Sequence, residues 1–187
     1  MILQINIGDS FMKIALHFFA LFIFFLLITG CSLLKKDYSE IAHAITLRTA
    51  KQLEKEKGMK LVGTSGGMID QVNSLGMHLY YYSPQETPEA RKLALFVVDK
   101  FLHNINSDEK VRPYLNNYPF KVEDLEIFLY FRHPNRFEIK PRKICNIVID
   151  NGQLTFNTRN KETGRLTTLF EETIEEAREK VSNMTSE

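Results

Sequence analysis

The dipeptide Asn151-Gly152 constrains the fold more than any other local feature of this 187-residue chain. Asn-Gly favours a type I′ turn, which joins two antiparallel strands through a two-residue loop. The turn fixes the pairing of the flanking residues, because a slip of one residue would exchange the faces of both strands. The pattern therefore predicts a β-hairpin with one buried apolar face. The residues of that face are Ile147, Ile149, Leu154 and Phe156.

The same pairing places Cys145 opposite Thr158 and on the apolar side of the hairpin. The chain has one other cysteine, Cys31. If Cys31 is modified, as its surroundings below indicate, Cys145 has no disulfide partner within the chain. A cysteine without a disulfide partner is either a small buried hydrophobe or a reactive thiol. The hairpin position favours burial, and burial suppresses the reactive thiolate by raising the thiol pKa. We therefore expect Cys145 to be an inert core thiol.

Apolar residues at helical spacing predict three helices in the rest of the chain. The first covers residues 37–57 and ends at Gly58, which supplies a left-handed stop. The second begins at Thr87 as N-cap and is apolar nearly all round, which indicates the most buried helix. The third follows a T-x-x-E capping pattern at Thr168. Glutamates from 171 to 176 would then lie in its first turns and complement the helix dipole.

Alternating residues predict strands at 77–83 and 125–132 in addition to the hairpin. In the first of these, one face carries His78, Tyr80 and Tyr82. The second has aromatic residues on both faces, which indicates a central strand. These elements predict a single α+β domain over residues 37–184, with a mainly antiparallel sheet and helices packed on one of its faces.

Residues 12–30 differ in character from that domain. Met12-Lys13 leads into an apolar run from Ile14 to Ile28. A positive start, an apolar core of about 15 residues and a small-residue exit are typical of a cleaved secretory signal, whereas a membrane span needs about 20 apolar residues. We therefore expect residues 1–30 to form a signal helix that is removed. Asp9 fits a positive start poorly, so initiation at Met12 is an alternative to Met1.

The exit of this run, Ile28-Thr29-Gly30-Cys31, resembles the lipobox of bacterial lipoproteins. The resemblance implies a diacylglycerol on the Cys31 thiol, cleavage before Cys31 and an N-acyl lipid on the new amino terminus, and it implies no other cofactor. Residues 31–36 would be a short lipidated tether to a membrane of the bacterial cell envelope. Ser32 replaces the Asp that often marks inner-membrane retention, which favours the outer membrane in a Gram-negative cell.

Two features of the mature chain are candidate small-ligand sites. The backbone of Gly63-Thr64-Ser65-Gly66-Gly67 could bind an anion or form a structural turn, with Ser65, Gly66 and Gly67 as the candidate residues. The segment lacks both the P-loop spacing and the G-x-S-x-G spacing of a nucleophile. His78, beside two tyrosines, is the histidine able to converge with other groups in a cleft, and none of the histidines follows a metal-binding motif.

Residues 132–143 form a basic loop, in which Arg132, Arg136 and Arg142 are candidate contacts. The loop is either a solvated hairpin tip or a surface for anionic head groups or an acidic partner. The formal net charge of +1 gives no strong field to recruit nucleic acid.

The sequence thus predicts a lipid-anchored extracytoplasmic module that binds an envelope protein or a glycan, or has a structural role in the envelope. A non-enzymatic function is favoured. The alternative is an extracytoplasmic hydrolase that uses Ser65 of the glycine-rich segment with a histidine such as His78. That alternative requires the two side chains to approach hydrogen-bond distance in a cleft.

Overall fold

The computed structural model describes residues 38–133, 144–160 and 162–185. In these ranges the chain forms three α-helices and a six-stranded, mostly antiparallel sheet, which confirms the predicted α+β class. The predicted signal helix, the lipidation residue Cys31 and two of the candidate arginines, Arg136 and Arg142, lie outside the described residues.

The helices are α1 (Tyr38–Lys57), α2 (Thr87–Asn106) and α3 (Ile174–Thr185). The strands are β1 (Lys60–Ser65), β2 (Leu75–Tyr81), β3 (Leu125–Phe131), β4 (Asn146–Asp150), β5 (Gln153–Arg159) and β6 (Leu166–Thr173). Short 3₁₀ turns at Arg112–Tyr114 and Val122–Asp124 precede β3. No helix in the described ranges is both long and apolar enough to cross a membrane.

The strands lie in the sheet in the order in which they occur in the chain. Neighbouring strands are antiparallel except β2 and β3, which are parallel and are connected through α2. A parallel pair needs such a crossover because the first strand ends at one edge of the sheet and the second strand must start at the opposite edge. Inward-facing residues of the strands form one core cluster with α1, α2 and α3. No helix of the described residues belongs to the opposite surface, which carries residues such as His78, Phe128 and Val148 and which we call the helix-free face.

The hairpin around Asn151-Gly152 confirms the predicted turn and pairing. Both turn residues have positive φ, 47° for Asn151 and 72° for Gly152. All four residues of the predicted apolar face are fully or almost fully buried. The pairing of Asn146 with Asn157 is also as predicted, but β4 begins there. The amide of Cys145 donates to the Asn157 carbonyl at 2.8 Å, so the predicted pair with Thr158 does not form.

The predicted start of the third helix is wrong by about one and a half turns. Thr168 lies in β6, and α3 begins only at Ile174. The capping box is formed by the next T-x-x-E pattern, because the Thr173 amide donates to the Glu176 carboxylate at 2.8 Å and the Glu176 amide donates to Thr173 Oγ1 at 3.1 Å. Pairing with β5 keeps residues 166–173 extended, which local sequence does not reveal.

The predicted start of the second helix, α2, needs a smaller correction. Thr87 is its first helical residue and Glu86 is the N-cap, so the predicted boundary is one residue late. The prediction that this helix is the most enclosed agrees with its packing against both α1 and α3 as well as the sheet. Its buried residues include a charged one, Arg91, which is only 5% exposed.

A buried ion pair joins α2 to β6 and α3. The Arg91 guanidinium donates two hydrogen bonds to the Glu172 carboxylate, one of them from Nη2 to Oε2 at 3.0 Å. Lys180 Nζ of α3 donates to the same Oε2 at 2.7 Å. Glu172 is 2% exposed and lies on the core side of the strand. The expectation that Glu171 and Glu172 complement a helix dipole is therefore wrong, whereas Glu175 and Glu176 do lie in the first turn of α3.

Candidate functional site

The parallel pairing of β2 and β3 places a row of rings on the helix-free face. His78 lies beside Phe128, and Tyr80 lies beside Tyr130. Alternate residues of a strand point to the same side of a sheet, and adjacent strands are about 4.8 Å apart, so these rings come into contact. Tyr82 follows the last residue of β2, and its ring contacts that of Tyr80. We call the set the aromatic ribbon. Its members are His78, Tyr80, Tyr82, Phe128 and Tyr130.

The rings of the aromatic ribbon support one another. The His78 and Phe128 rings stack with centroids 4.5 Å apart. Tyr80 meets both Tyr130, at 5.6 Å and 88°, and Tyr82, at 6.2 Å and 90°. Stacked and edge-to-face arrangements are the favourable geometries of aromatic pairs, and each contributes about 0.5–1.5 kcal/mol beyond area burial. The ribbon is therefore a pre-organised surface of partly exposed rings.

Arg132 provides a cation at one end of the aromatic ribbon. Its guanidinium carbon lies 5.0 Å from the Tyr80 ring centroid and 5.8 Å from that of Tyr130. Both distances are within the range of a cation–π interaction. Arg132 was predicted as a contact of the basic loop, and the structure places its side chain over the rings.

Ser65 is the last residue of β1, and the two glycines after it belong to a structural turn. Ser65 lies in β1 opposite Gly76, and a Cβ on Gly76 would lie only 2.1 Å from Ser65 Oγ. The Gly67 amide donates to Ser74 Oγ at 2.9 Å, and that hydroxyl donates to Glu126 Oε1 at 2.9 Å. Gly66 has φ +156°, and a Cβ there would lie 2.7 Å from the Ser74 carbonyl oxygen. This packing accounts for the glycines without a ligand.

The structure does not bring Ser65 and His78 together as the hydrolase alternative requires. Ser65 Oγ is buried and has no hydrogen-bond partner among the described residues, so it is neither activated by a base nor open to a substrate. His78 instead stacks on Phe128 and faces Gly63 of the neighbouring strand. Within the same ranges, no group of three or more His, Cys, Asp or Glu side chains could hold a metal ion.

Cys145 is buried as predicted, but its surroundings differ from the prediction. The thiol is 5% exposed and donates to the Asn157 carbonyl at 3.2 Å. Burial raises its pKa, although the positive charges of Arg159 and Arg132 offset part of the effect. These arginines show that the thiol lies near the Arg132 end of the aromatic ribbon, and Cys145 does not belong to the main core cluster.

Compared with known proteins, the chain matches no family model, and no curated protein or solved structure is significantly similar to it. Any function of this chain must therefore be inferred from its own residues.

Proposed function

We propose that this chain is a lipid-anchored, non-enzymatic lipoprotein of the bacterial cell envelope whose α+β domain binds an envelope protein through the helix-free face. The observation that carries the proposal is the aromatic ribbon capped by Arg132. Cys31 would hold the diacylglycerol and the N-acyl lipid, and two or more acyl chains give stable anchoring. In a Gram-negative cell the proposed location is the outer membrane.

The residue types of the helix-free face favour a protein partner. Tyr, Phe and Arg are enriched in the buried centres of protein interfaces, and Tyr and Arg are frequent binding hot spots. A glycan would stack on rings that lie flat and open on the surface. Here Tyr80 packs edge-on against two neighbouring rings, and Arg132 covers part of its face.

The area of the helix-free face predicts an interface of low affinity. The six-stranded sheet, with strands about 4.8 Å apart and about seven residues long, presents a face of roughly 500 Å². Each partner in a standard complex contributes about 800 Å². A weak interface is effective when both partners are confined to one membrane, because confinement raises their effective concentration.

The proposed tether limits where the partner can be. Residues 31–36, fully extended, span at most about 20 Å. The domain would therefore stay close to the bilayer, and a partner must reach it there. We expect an integral membrane protein or another lipid-anchored protein.

A photocrosslinker at position 82 tests this function in the native envelope. Replacing Tyr82 with p-benzoylphenylalanine keeps an aromatic ring on the helix-free face, while the same residue at Leu47 of α1 provides a control. Both native side chains are 38% exposed. We expect a discrete protein adduct from position 82 and none from position 47, because only the helix-free face is covered by a partner.

Three other results would contradict the proposal. They are adducts from position 47 alone, equal adducts from both positions, or an adduct from position 82 that carries glycan and no protein. An Arg132→Gln change in the crosslinking chain should reduce the yield at position 82, since it removes the cation at the end of the aromatic ribbon.

A further inference from the structure

At the Arg132 end of the aromatic ribbon, the side chains line a partly open cavity of about 50 Å³. Residues from β3, β4, β5, β6 and the segments beside them line it. They are Tyr130, Arg132, Cys145, Asn146, Arg159 and Leu166. Because one buried water needs about 10–15 Å³ of such space, the cavity has room for a group of about four non-hydrogen atoms.

The polar groups of this cavity are mainly hydrogen-bond donors. Two guanidinium groups, from Arg132 and Arg159, and the phenol of Tyr130 line it together with the Asn146 side chain. None of the described lining residues is a carboxylate. Burial raises the pKa of the Cys145 thiol, so this side chain is neutral at neutral pH. The cavity therefore carries positive charge that no described lining residue neutralises.

Two of these donors are held in place. Arg159 Nη1 donates to the Gly164 carbonyl at 2.7 Å, which fixes the guanidinium at the mouth of the β5–β6 hairpin. Asn146 is 3% exposed, and its side-chain oxygen is 3.7 Å from the Cys145 sulfur. The hydrogen bond to Gly164 uses one of the five N–H donors of the Arg159 guanidinium. A donor in such a site gains free energy when a ligand supplies an acceptor.

We propose that this cavity binds an oxyanion, either a carboxylate or a phosphate group, presented by the ligand of the helix-free face. Both groups match the cavity in size, and their oxygens match the forked donors of arginine. The inference deepens the proposed function by giving the partner a charged anchor beside the rings. The source we infer is an acidic group of the partner protein, and a lipid head group is the other outcome that the test separates from it.

Titration of the full chain in non-ionic micelles with inorganic phosphate or acetate tests the site, with backbone-amide NMR shifts as the readout. Chloride at the same ionic strength is the reference. We expect saturable shifts at Asn146 and Arg159 with at least one oxyanion. Arg132→Gln and Arg159→Gln should each raise the dissociation constant of that oxyanion at least tenfold. Arg165→Gln removes a charge from the same hairpin but not from the cavity, so it should change the constant less than twofold.

The absence of saturable shifts with both oxyanions would overturn the inference, as would an equal loss of affinity in Arg165→Gln. Arg159 is exposed and Arg132 is partly exposed, so both variants should keep the wild-type pattern of amide shifts elsewhere in the chain. That pattern shows that the variants are folded.

Lipid nanodiscs distinguish the two sources. Shifts at the same amides in anionic nanodiscs, and not in zwitterionic ones, assign the oxyanion to a lipid head group. Shifts only with the added anion assign it to a soluble or protein-borne group, and both results support an oxyanion site. If phosphate binds but position 82 gives no protein adduct, the proposed function fails and the cavity assignment stands. If the adduct forms but neither anion binds, the cavity assignment fails and the proposed function stands.

Discussion

Truncating Phe156 to alanine is expected to lower the free energy of unfolding by about 3–5 kcal/mol. Phe156 is completely buried, and its ring stacks on that of Phe170 with centroids 4.4 Å apart. The guanidinium carbon of Arg91 lies 5.7 Å from the same ring. Alanine would leave a cavity between β5, β6 and α2, and it would remove an aromatic neighbour from a buried charge.

Urea denaturation of the full chain, with Val148→Ala as the control, measures this effect. Val148 lies opposite Thr155 on the helix-free face and is only partly buried. Its truncation should cost about 1 kcal/mol or less, since each fully buried methylene contributes about 0.8 kcal/mol. A cost for Val148→Ala as large as that for Phe156→Ala would show that the sheet buries both faces equally, and the helix-free face would then be no free surface.

Replacing Glu172 with glutamine is expected to cost about 3–5 kcal/mol at neutral pH, the usual effect of breaking a buried ion pair from one side. Glutamine keeps the shape of the side chain but leaves the Arg91 guanidinium buried without an anion. The variant also removes the acceptor charge for Lys180. The exposed neighbour Glu171 provides the control, because Glu171→Gln removes the same charge from the helix-free side of the strand.

The pH dependence of this effect follows from the pKa of Glu172. Burial alone would raise that pKa, but the hydrogen bonds and charges of Arg91 and Lys180 outweigh burial and hold it below its usual value. A carboxyl with a depressed pKa stabilises the fold fully above its unfolded-state pKa and loses that contribution as pH falls through the folded-state value. The difference in unfolding free energy between wild type and Glu172→Gln should therefore narrow from pH 7 to pH 3. A constant difference would contradict the pairing.

The elements that the sequence predicted well are those set by local chemistry. Asn151-Gly152 forms its turn because both residues tolerate positive φ, and the pairing of the hairpin follows from the turn. The start of α3 was mispredicted because two T-x-x-E patterns lie five residues apart. Only the pairing of β6 with β5 decides between them, and that pairing is a long-range contact.

The candidate site was predicted only in part for the same reason. Alternation placed His78, Tyr80 and Tyr82 on one face of a strand. The structure agrees for His78 and Tyr80, whereas Tyr82 follows the last residue of β2 and contacts Tyr80 through its ring. It could not show that Phe128 and Tyr130 complete the row, because periodicity does not reveal which strands are neighbours. The ion pair of Arg91 with Glu172 was missed as well, since an arginine on an apolar helix gives no sign of its partner 81 residues away.

The mass of the N-terminal peptide of the mature protein tests the central claim of a lipid-anchored domain most directly. Protein purified from the native membrane should begin at Cys31 and carry a diacylglycerol and an N-acyl chain. Cys31→Ala should remove the lipid and the cleavage, whereas Cys145→Ala should keep both, because only Cys31 follows the lipobox-like residues. An uncleaved N-terminus without lipid in the wild-type protein, or lipid that persists in Cys31→Ala, would contradict the account.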